Sequence, residues 1–456
     1  MFEISLGAGL GLGLTSCVYF AMLWAGVLSR AALFSVEFVA IGGMSLMLLR
    51  RRRTADVGVE DLAPPERSPW IWALRLAAGV GVVCLCLSFS ETIATNPNGE
   101  WDAFSIWNVR AKYLAGGGPT WRNAVASNLA AGMAGAAHPG YPLLVSASIA
   151  RVWTLTGEDS DVAPAAVSLL FTLAACGLLT GAIAWLAGER LGLLALLVLI
   201  ATEAFTTQAA FQYSDVPLAF FILGAIALAA SAERAGWPPG LLALTGLAAG
   251  FAAFTKNEGL PFVLVVVVVA WWRAQKARRM TAAVWALAGA VPGVVATLAI
   301  KMMAQGSEAV FPKSAGQALR QMADPSRWMQ VLGSFARNFG ELGVWWAHPL
   351  LLIALLAVAL GLVSKDEARS RAWLALPLAG LLAADFALYL VTTAELSWHL
   401  STSNSRVILQ VWPAMIFVAF LMLRRPSEPD EPELVGVLAR KPTGPKAKRA
   451  KGSARE

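Results

Sequence analysis

Two carboxylates stand two positions apart in the stretch "NPNGEWDAFSIWNVRAKYLAGGG", residues 96–118: Glu100 and Asp102, followed by Arg110 and Lys112 among Trp101, Phe104, Ile106 and Trp107. A carboxylate can take a proton from a hydroxyl or an amine, and a cation beside it can hold a phosphate. The same pairing of residue types recurs downstream. "HPGYPLL" opens with His138, "FQYSDVPLAFF" carries Tyr213 and Asp215, "FTKNEGLPF" sets Lys256 and Glu258 between two apolar runs, and "SWHLSTSNSRVILQVWP" carries His399 and Arg406. Each has a plainer reading. Asp102 and Asp215 both open helical patterns and suit N-caps. His138 adjoins a proline turn, Lys256 and Glu258 suit a snorkelling turn with an internal ion pair, and Arg406 suits an interfacial anchor. Charges in such surroundings are costly, on the order of 2.5–3.5 kcal/mol at a bilayer centre and less near its surface. Their recurrence therefore argues for use.

These groups are held by an apolar frame. The chain has 456 residues, 57% hydrophobic and 14% charged, the balance of an all-α polytopic membrane protein. A helix needs roughly 20 apolar residues to cross the hydrocarbon core. Runs near 5–28, 32–50, 70–90, 162–187, 191–209, 216–232, 240–255, 260–272, 281–301, 344–363, 372–394 and 407–423 predict about twelve transmembrane helices. No basic segment precedes the first run, which reads as a span and not a cleaved signal. The basic clusters Arg50–Arg53, 273–279, 364–371 and Arg424–Arg425 then fall on one side, cytoplasmic by the positive-inside rule, with both termini. The polar regions 91–161, 302–343 and 395–406 share the opposite, periplasmic face with the turns at 211–215 and 256–259.

Within the first of these regions, Phe104, Trp107, Ala111 and Leu114 recur at helical spacing, with Ser105, Asn108 and Lys112 off the stripe. That pattern predicts an amphipathic helix resting on the membrane surface behind Asp102. Residues 140–156, which include Arg151, read as a helix lying in the interface, because a crossing there would turn every later basic cluster outward. Residues 1–425 make the integral domain; 426–456, rich in proline, lysine and glutamate, read as a disordered cytoplasmic tail.

Several classes are disfavoured. Cys17, Cys84, Cys86 and Cys176 all sit in apolar runs, with no disulfide or metal spacing. The net charge of +7 lies in clusters beside spans and in the tail, so it does not indicate nucleic acid. A transporter would more often bury its ionisable groups near the midplane. Only Glu37, Glu203 and Asp385 are candidates for that.

From about Trp70 to Leu423 the motif order resembles the GT-C superfamily of polyprenyl-phosphate-sugar-dependent glycosyltransferases. The similar branch includes lipid A aminoarabinose transferases, protein O-mannosyltransferases and bacterial Rgt-like members. The resemblance rests on "EWDAFSIWNVRAKYL", "HPGYPLL", "YSDVPLAFF", "GFAAFTKNEGLPF" and "SRVILQVWPA". It implies an inverting transfer of a sugar from a polyprenyl-phosphate donor to a periplasmic acceptor (a glycolipid, a glycan or a protein) at a bacterial inner membrane. By motif match Asp102 is the base, with Glu100 and Asp215 in the catalytic set. The substrate-binding set is His138, Lys256, Glu258, Arg406, His399 and Tyr213. The family's usual lysine before proline is replaced by His138, which is only partly charged near neutral pH, so Lys256 or Arg406 would have to compensate. The resemblance implies no cofactor, although Glu100, Asp102 and Asp215 form a set that a divalent ion could occupy. The rival readings are a lipid-linked sugar flippase or transporter and a non-catalytic membrane scaffold. Convergence of Asp102, Asp215 and a basic residue on one cavity would separate transfer from both.

Overall fold

The computed structural model describes residues 1–54, 69–126, 138–304, 312 and 314–425. The expected tail, 426–456, and the arginine side chains of 50–53 lie outside this set. The described residues are helical, with no named strand. The chain opens with α1 (Phe2–Trp24), α2 (Arg30–Thr54) and α3 (Pro69–Thr95). A π-helical stretch, Ala103–Asn108, runs into α4 (Val109–Gly116), followed by a 3-10 turn at Thr120–Val125 and α5 (Leu144–Thr156). Next come α6 (Val162–Ala187), α7 (Glu189–Ile200), α8 (Glu203–Ala210), α9 (Asp215–Arg234), α10 (Pro239–Thr255), α11 (Gly259–Arg273) and α12 (Arg279–Met303). The last part holds α13 (Ala315–Met322), α14 (Pro325–Gly340), α15 (Pro349–Leu360), α16 (Lys365–Arg371), α17 (Leu376–Val391) and α18 (Leu396–Leu421).

Each of the twelve apolar runs contains helix, and the protein is an all-α, polytopic membrane protein. Among the described residues seven helices are long and apolar enough to cross a bilayer, or up to nine if two bent pairs each count as one span. The run 191–209 is one of those pairs, α7 and α8, bent by 67°. Thr202 leaves the helical region there, and its hydroxyl accepts from Trp412 Nε1 at 3.0 Å. The run 344–363 folds as α15 alone after a 3-10 turn, and pairs with α14 across a 75° bend. α10 and α11 have 17 and 15 residues, shorter than the roughly 20 of a typical crossing.

α9 organises the bundle. It is apolar on all sides and 94% of its span window is buried, as an interior helix must be. Phe220 and Phe221 meet edge to face at 5.2 Å between ring centroids, with Phe171 and Phe251 closing the cluster. Twenty residues make α9 about 30 Å long, so its two ends define two faces. At the end carrying Glu233, Arg273 pairs with that carboxylate and Trp373 Nε1 donates to it at 3.0 Å. Arg371 donates to Leu421 O at 2.6 Å, and Arg425 to Leu186 O at 2.8 Å. The clusters 273–279, 364–371 and 424–425 therefore gather at one face, as the charge pattern predicts. Asp215 marks the other.

α10 and α12 touch backbone to backbone. A Cβ at Gly246 would stand 1.8 Å from Ala286 O, one at Gly289 would stand 1.9 Å from Ala243 O, and one at Gly293 2.0 Å from Gly250 O. Small residues at this four-residue spacing are what lets apolar helices approach so closely. The contact fixes the C-terminus of α10, and with it Lys256.

The segment after α3 is helical, as its stripe predicts. Ser105 and Asn108, off the apolar stripe, are buried. Ser146 Oγ of α5 donates to Trp107 O at 2.9 Å. On the other side Arg110, fully buried, donates to Ala124 O at 2.8 Å and to Tyr141 O at 2.7 Å. Protein covers much of both sides, while Trp101, Phe104 and Lys112 stay exposed. α5 also sits inside the fold, packed on α1, α4 and α6. At 13 residues, about 20 Å, it falls short of a crossing. Its Arg151 forms a two-bond pair with Glu37 of α2, the second bond 2.6 Å.

Candidate active site

The site is assembled at the Asp215 end of α9 from four separate stretches. Asp102 ends the loop after α3, where the chain turns into the π-helical segment. Asp215 is the first residue of α9. Lys256 and Glu258 form the tight turn between α10 and α11, where a Cβ at Gly259 would lie 2.1 Å from Ala252 C. Arg406 comes from α18, whose start is set by Glu395: its carboxylate accepts the amides of Ser397 and Trp398 at 3.0 and 2.7 Å.

Neither aspartate caps a helix with its side chain, contrary to the plain sequence reading. Asp102 is itself helical, and its side chain accepts no helix amide. Asp215 is likewise inside its helix, behind Ser214, and caps nothing. Both carboxylates are drawn to charge instead. Arg406 Nη1 donates to Asp102 Oδ2 at 2.6 Å, while its Nε and Nη2 both lie 2.9 Å from Asp215 Oδ2. Asp215 Oδ1 accepts Lys256 Nζ at 3.0 Å and Gln410 Nε2 at 2.7 Å. Lys256 Nζ also lies 3.3 Å from Glu258 Oε1. The result is an unbroken relay, Asp102–Arg406–Asp215–Lys256–Glu258. A buried charge survives only with partners, and a charged hydrogen bond outweighs a bond to a neutral amide. Asp215 also gains from the positive N-terminus of α9.

Tyr213 lies under the guanidinium, its ring centroid 4.6 Å from Arg406 Cζ, a cation–π contact that fixes the plane of the fork. Burial, reinforced by the Asp102 carboxylate, pushes the phenol up to about 12. It therefore stays protonated at neutral pH. Burial alone would pull Lys256 down, but Asp215 and Glu258 outweigh it and hold the ammonium above its ordinary value.

Beside the relay lies a cavity of about 490 Å³ between α11, α17 and α18. Lys256, Glu258 and Arg406 form its charged wall, with Tyr141, Asp385, Tyr389 and His399 around it. α13 contributes Met322. Arg327 of α14 donates to the carbonyls of Tyr389, Leu390 and Thr392 at 3.0, 2.7 and 3.1 Å, satisfying the end of α17 beside the cavity.

The remaining sequence-predicted residues divide. His399 lines the cavity, its Nδ1 3.0 Å from Thr392 Oγ1. His138 stacks on Tyr141 with centroids 4.4 Å apart, one ring behind the wall. Glu100 accepts Asn96 Nδ2 at 3.0 Å and stands outside the relay. Glu100, Asp102 and Asp215 do not converge: among the described residues no group of three histidine, cysteine or acidic side chains could hold a metal ion. Asp215 faces two cations, an arrangement that repels a third. Sequence reasoning missed Gln410 and Tyr389, and passed over Asp385 as a mid-span charge. The signal for Gln410 was its place one turn after Arg406 in an otherwise apolar run.

Residues 147–299, from α5 to α12, match the family model described as dolichyl-phosphate-mannose-protein mannosyltransferase. The matched stretch contains Asp215, Lys256 and Glu258; Asp102 and Arg406 lie on either side of it. No curated protein and no solved structure matches the chain. This stretch is thus similar to the protein O-mannosyltransferases, a family of the GT-C superfamily of membrane glycosyltransferases.

Proposed function

We propose that the protein transfers a sugar from a polyprenyl-phosphate donor to an acceptor at the face of the membrane where Asp215 lies, with inversion at the anomeric carbon. The observation that carries this reading is the position of Arg406. Its guanidinium touches Asp102 on one side and forms the wall of the 490 Å³ cavity on the other. Asp102 is not on that wall. A base and a leaving-group site on opposite sides of one cation suit an in-line displacement.

The donor phosphate enters the cavity beside Lys256 and Arg406, with its isoprenoid tail toward lipid. The acceptor approaches on the Asp102 side. Its oxygen attacks the anomeric carbon while Asp102 takes its proton, and the bond from that carbon to the phosphate oxygen breaks. Asp102 becomes neutral as the lipid phosphate gains charge. Its claim on Arg406 weakens at the moment the leaving group's claim grows, so one guanidinium serves both states. Asp215 stays ionised throughout, as the anchor of both cations. Orientation in a bacterial inner membrane, with the site periplasmic and the basic face cytoplasmic, follows from the positive-inside rule.

Asp102 and Asp215 meet on Arg406, although of the three only Arg406 lines the cavity; we read that meeting as support for transfer over transport. Mass spectrometry of glycolipids and surface glycans in a deletion strain tests the reading. Loss of one sugar from one glycan, restored by the wild-type chain but not by Asp102→Asn, is the expected result. An unchanged glycan profile, with purified protein that releases no polyprenyl phosphate from polyprenyl-phosphate mannose, glucose or galactose, would overturn it.

A further inference from the structure

We propose that Asp385 reads the donor's sugar, its carboxylate accepting hydrogen bonds from hydroxyls of the glycosyl group; this rests on the glycosyl-transfer reading above. Asp385 lies within α17 in the apolar run "LLAADFALYLV", and only 5% of it is exposed. Its Oδ2 is shut off from water and has no hydrogen-bond partner among the described residues. An acid placed inside a membrane helix without a partner is costly and is the usual mark of a functional position.

The residue forms part of the cavity wall, on the same cavity as Lys256 and Arg406. The other polar groups of that wall satisfy one another. Tyr389 Oη and Ser403 Oγ are 2.8 Å apart, Ser403 Oγ donates to His399 O at 2.6 Å, and His399 pairs with Thr392. Asp385 is left as an acceptor without a donor. A sugar brings hydroxyl donors, and a carboxyl group can accept from them whether or not it is ionised. The phosphate of a lipid-linked sugar is drawn to the two cations, which leaves the attached ring facing α17. Asp102 cannot take this role, because it stands behind Arg406 and off the cavity wall.

The test uses the full chain in lipid nanodiscs and a water-dispersible isoprenyl phosphate, bare or carrying mannose, glucose or galactose. Binding and thermal melts are measured for wild type, Asp385→Leu and Asp385→Asn. Wild type should bind at least one sugar-bearing probe more tightly than the bare phosphate. Asp385→Leu should keep its affinity for the bare phosphate and lose about ten- to a hundredfold for that sugar-bearing probe, the worth of one or two buried hydrogen bonds. Its Tm should be equal or higher, since an orphaned acceptor has been removed. Asp385→Asn should reorder the three sugars, because one acceptor oxygen becomes a donor. A Leu variant that binds the sugar probe as wild type does, or that loses bare phosphate equally, overturns the inference while leaving the transfer reading intact. Wild type that gains nothing from any of the three sugars overturns it also. Wild type that binds neither bare nor glycosylated phosphate overturns both.

Discussion

Arg406 meets Asp215 through two nitrogens on a single oxygen: Nε and Nη2 both lie 2.9 Å from Oδ2, which leaves Nη1 to reach Asp102. The anchoring bonds and the bond to Asp102 are thus made by different nitrogens of one rigid plane. On the proposed reading, donor phosphate competes with Asp102 for the Nη1 hydrogens while Nε and Nη2 stay on Asp215.

Replacing Arg406 should separate fold from function. Arg406→Ala leaves Asp215 buried with only Lys256 and Gln410, at a cost of roughly 3–5 kcal/mol for a broken buried pair. Arg406→Lys keeps the charge, but a point ammonium cannot hold two carboxylates in a fork. We expect the Lys variant to melt closer to wild type than the Ala variant and still to lose most transfer. Tm and product formation in nanodiscs check this. Near-normal transfer by the Lys variant would show that charge alone suffices.

Asp102→Asn keeps a hydrogen bond to Arg406 but cannot take a proton. General-base catalysis contributes typically 10²–10⁴-fold, so turnover should fall by about that factor while donor binding persists. Because Asp102 caps no helix, Asp102→Ala should melt close to the Asn variant. A large extra loss of Tm in the alanine variant would restore a structural role.

Tyr213 should act through its ring and not its hydroxyl. Tyr213→Phe keeps the face beneath Arg406 and should retain most activity, whereas Tyr213→Ala should not. The hydroxyl bears on alkaline stability alone. With the folded phenol pushed up to about 12 and the unfolded one near 10, the native state binds the extra proton between those values. Stability is therefore full below about pH 10 and falls as pH rises toward 12. The alkaline part of the melting profile should be flatter for the Phe variant, and identical profiles would remove the assignment.

The α10–α12 contact should tolerate no side chain. Gly246→Val would force a methine carbon to within 1.8 Å of Ala286 O, costing roughly 1–3 kcal/mol or more as the helices part. It should also impair transfer, by moving Lys256. Gly7→Ala in α1, with nothing within 4 Å, is the matched control and should melt at or above wild type. Equal Tm for the two variants would contradict the packing.

Much was legible along the chain because the cause is local. Apolar runs become helices wherever they occur, and the polar interruptions at Asp102, Asp215, Lys256 and Arg406 stand out against them. The charge pattern also sorted three of the four basic clusters onto one face. Partnership was not legible. Asp102 and Arg406 lie 304 positions apart, and no period or motif encodes which carboxylate a guanidinium will choose. Local rules left a helix cap open as the plainer role for each aspartate; tertiary packing supplied cations, and the stronger charge-assisted bonds prevailed. The same limit hid Gln410 and the orphaned Asp385, whose meaning depends on what α17 and α18 place around them. Tertiary packing also enclosed Ser105 and Asn108, off a stripe that was readable, behind protein that was not. Periodicity records one face of a helix, and only the assembled bundle decides what meets the other.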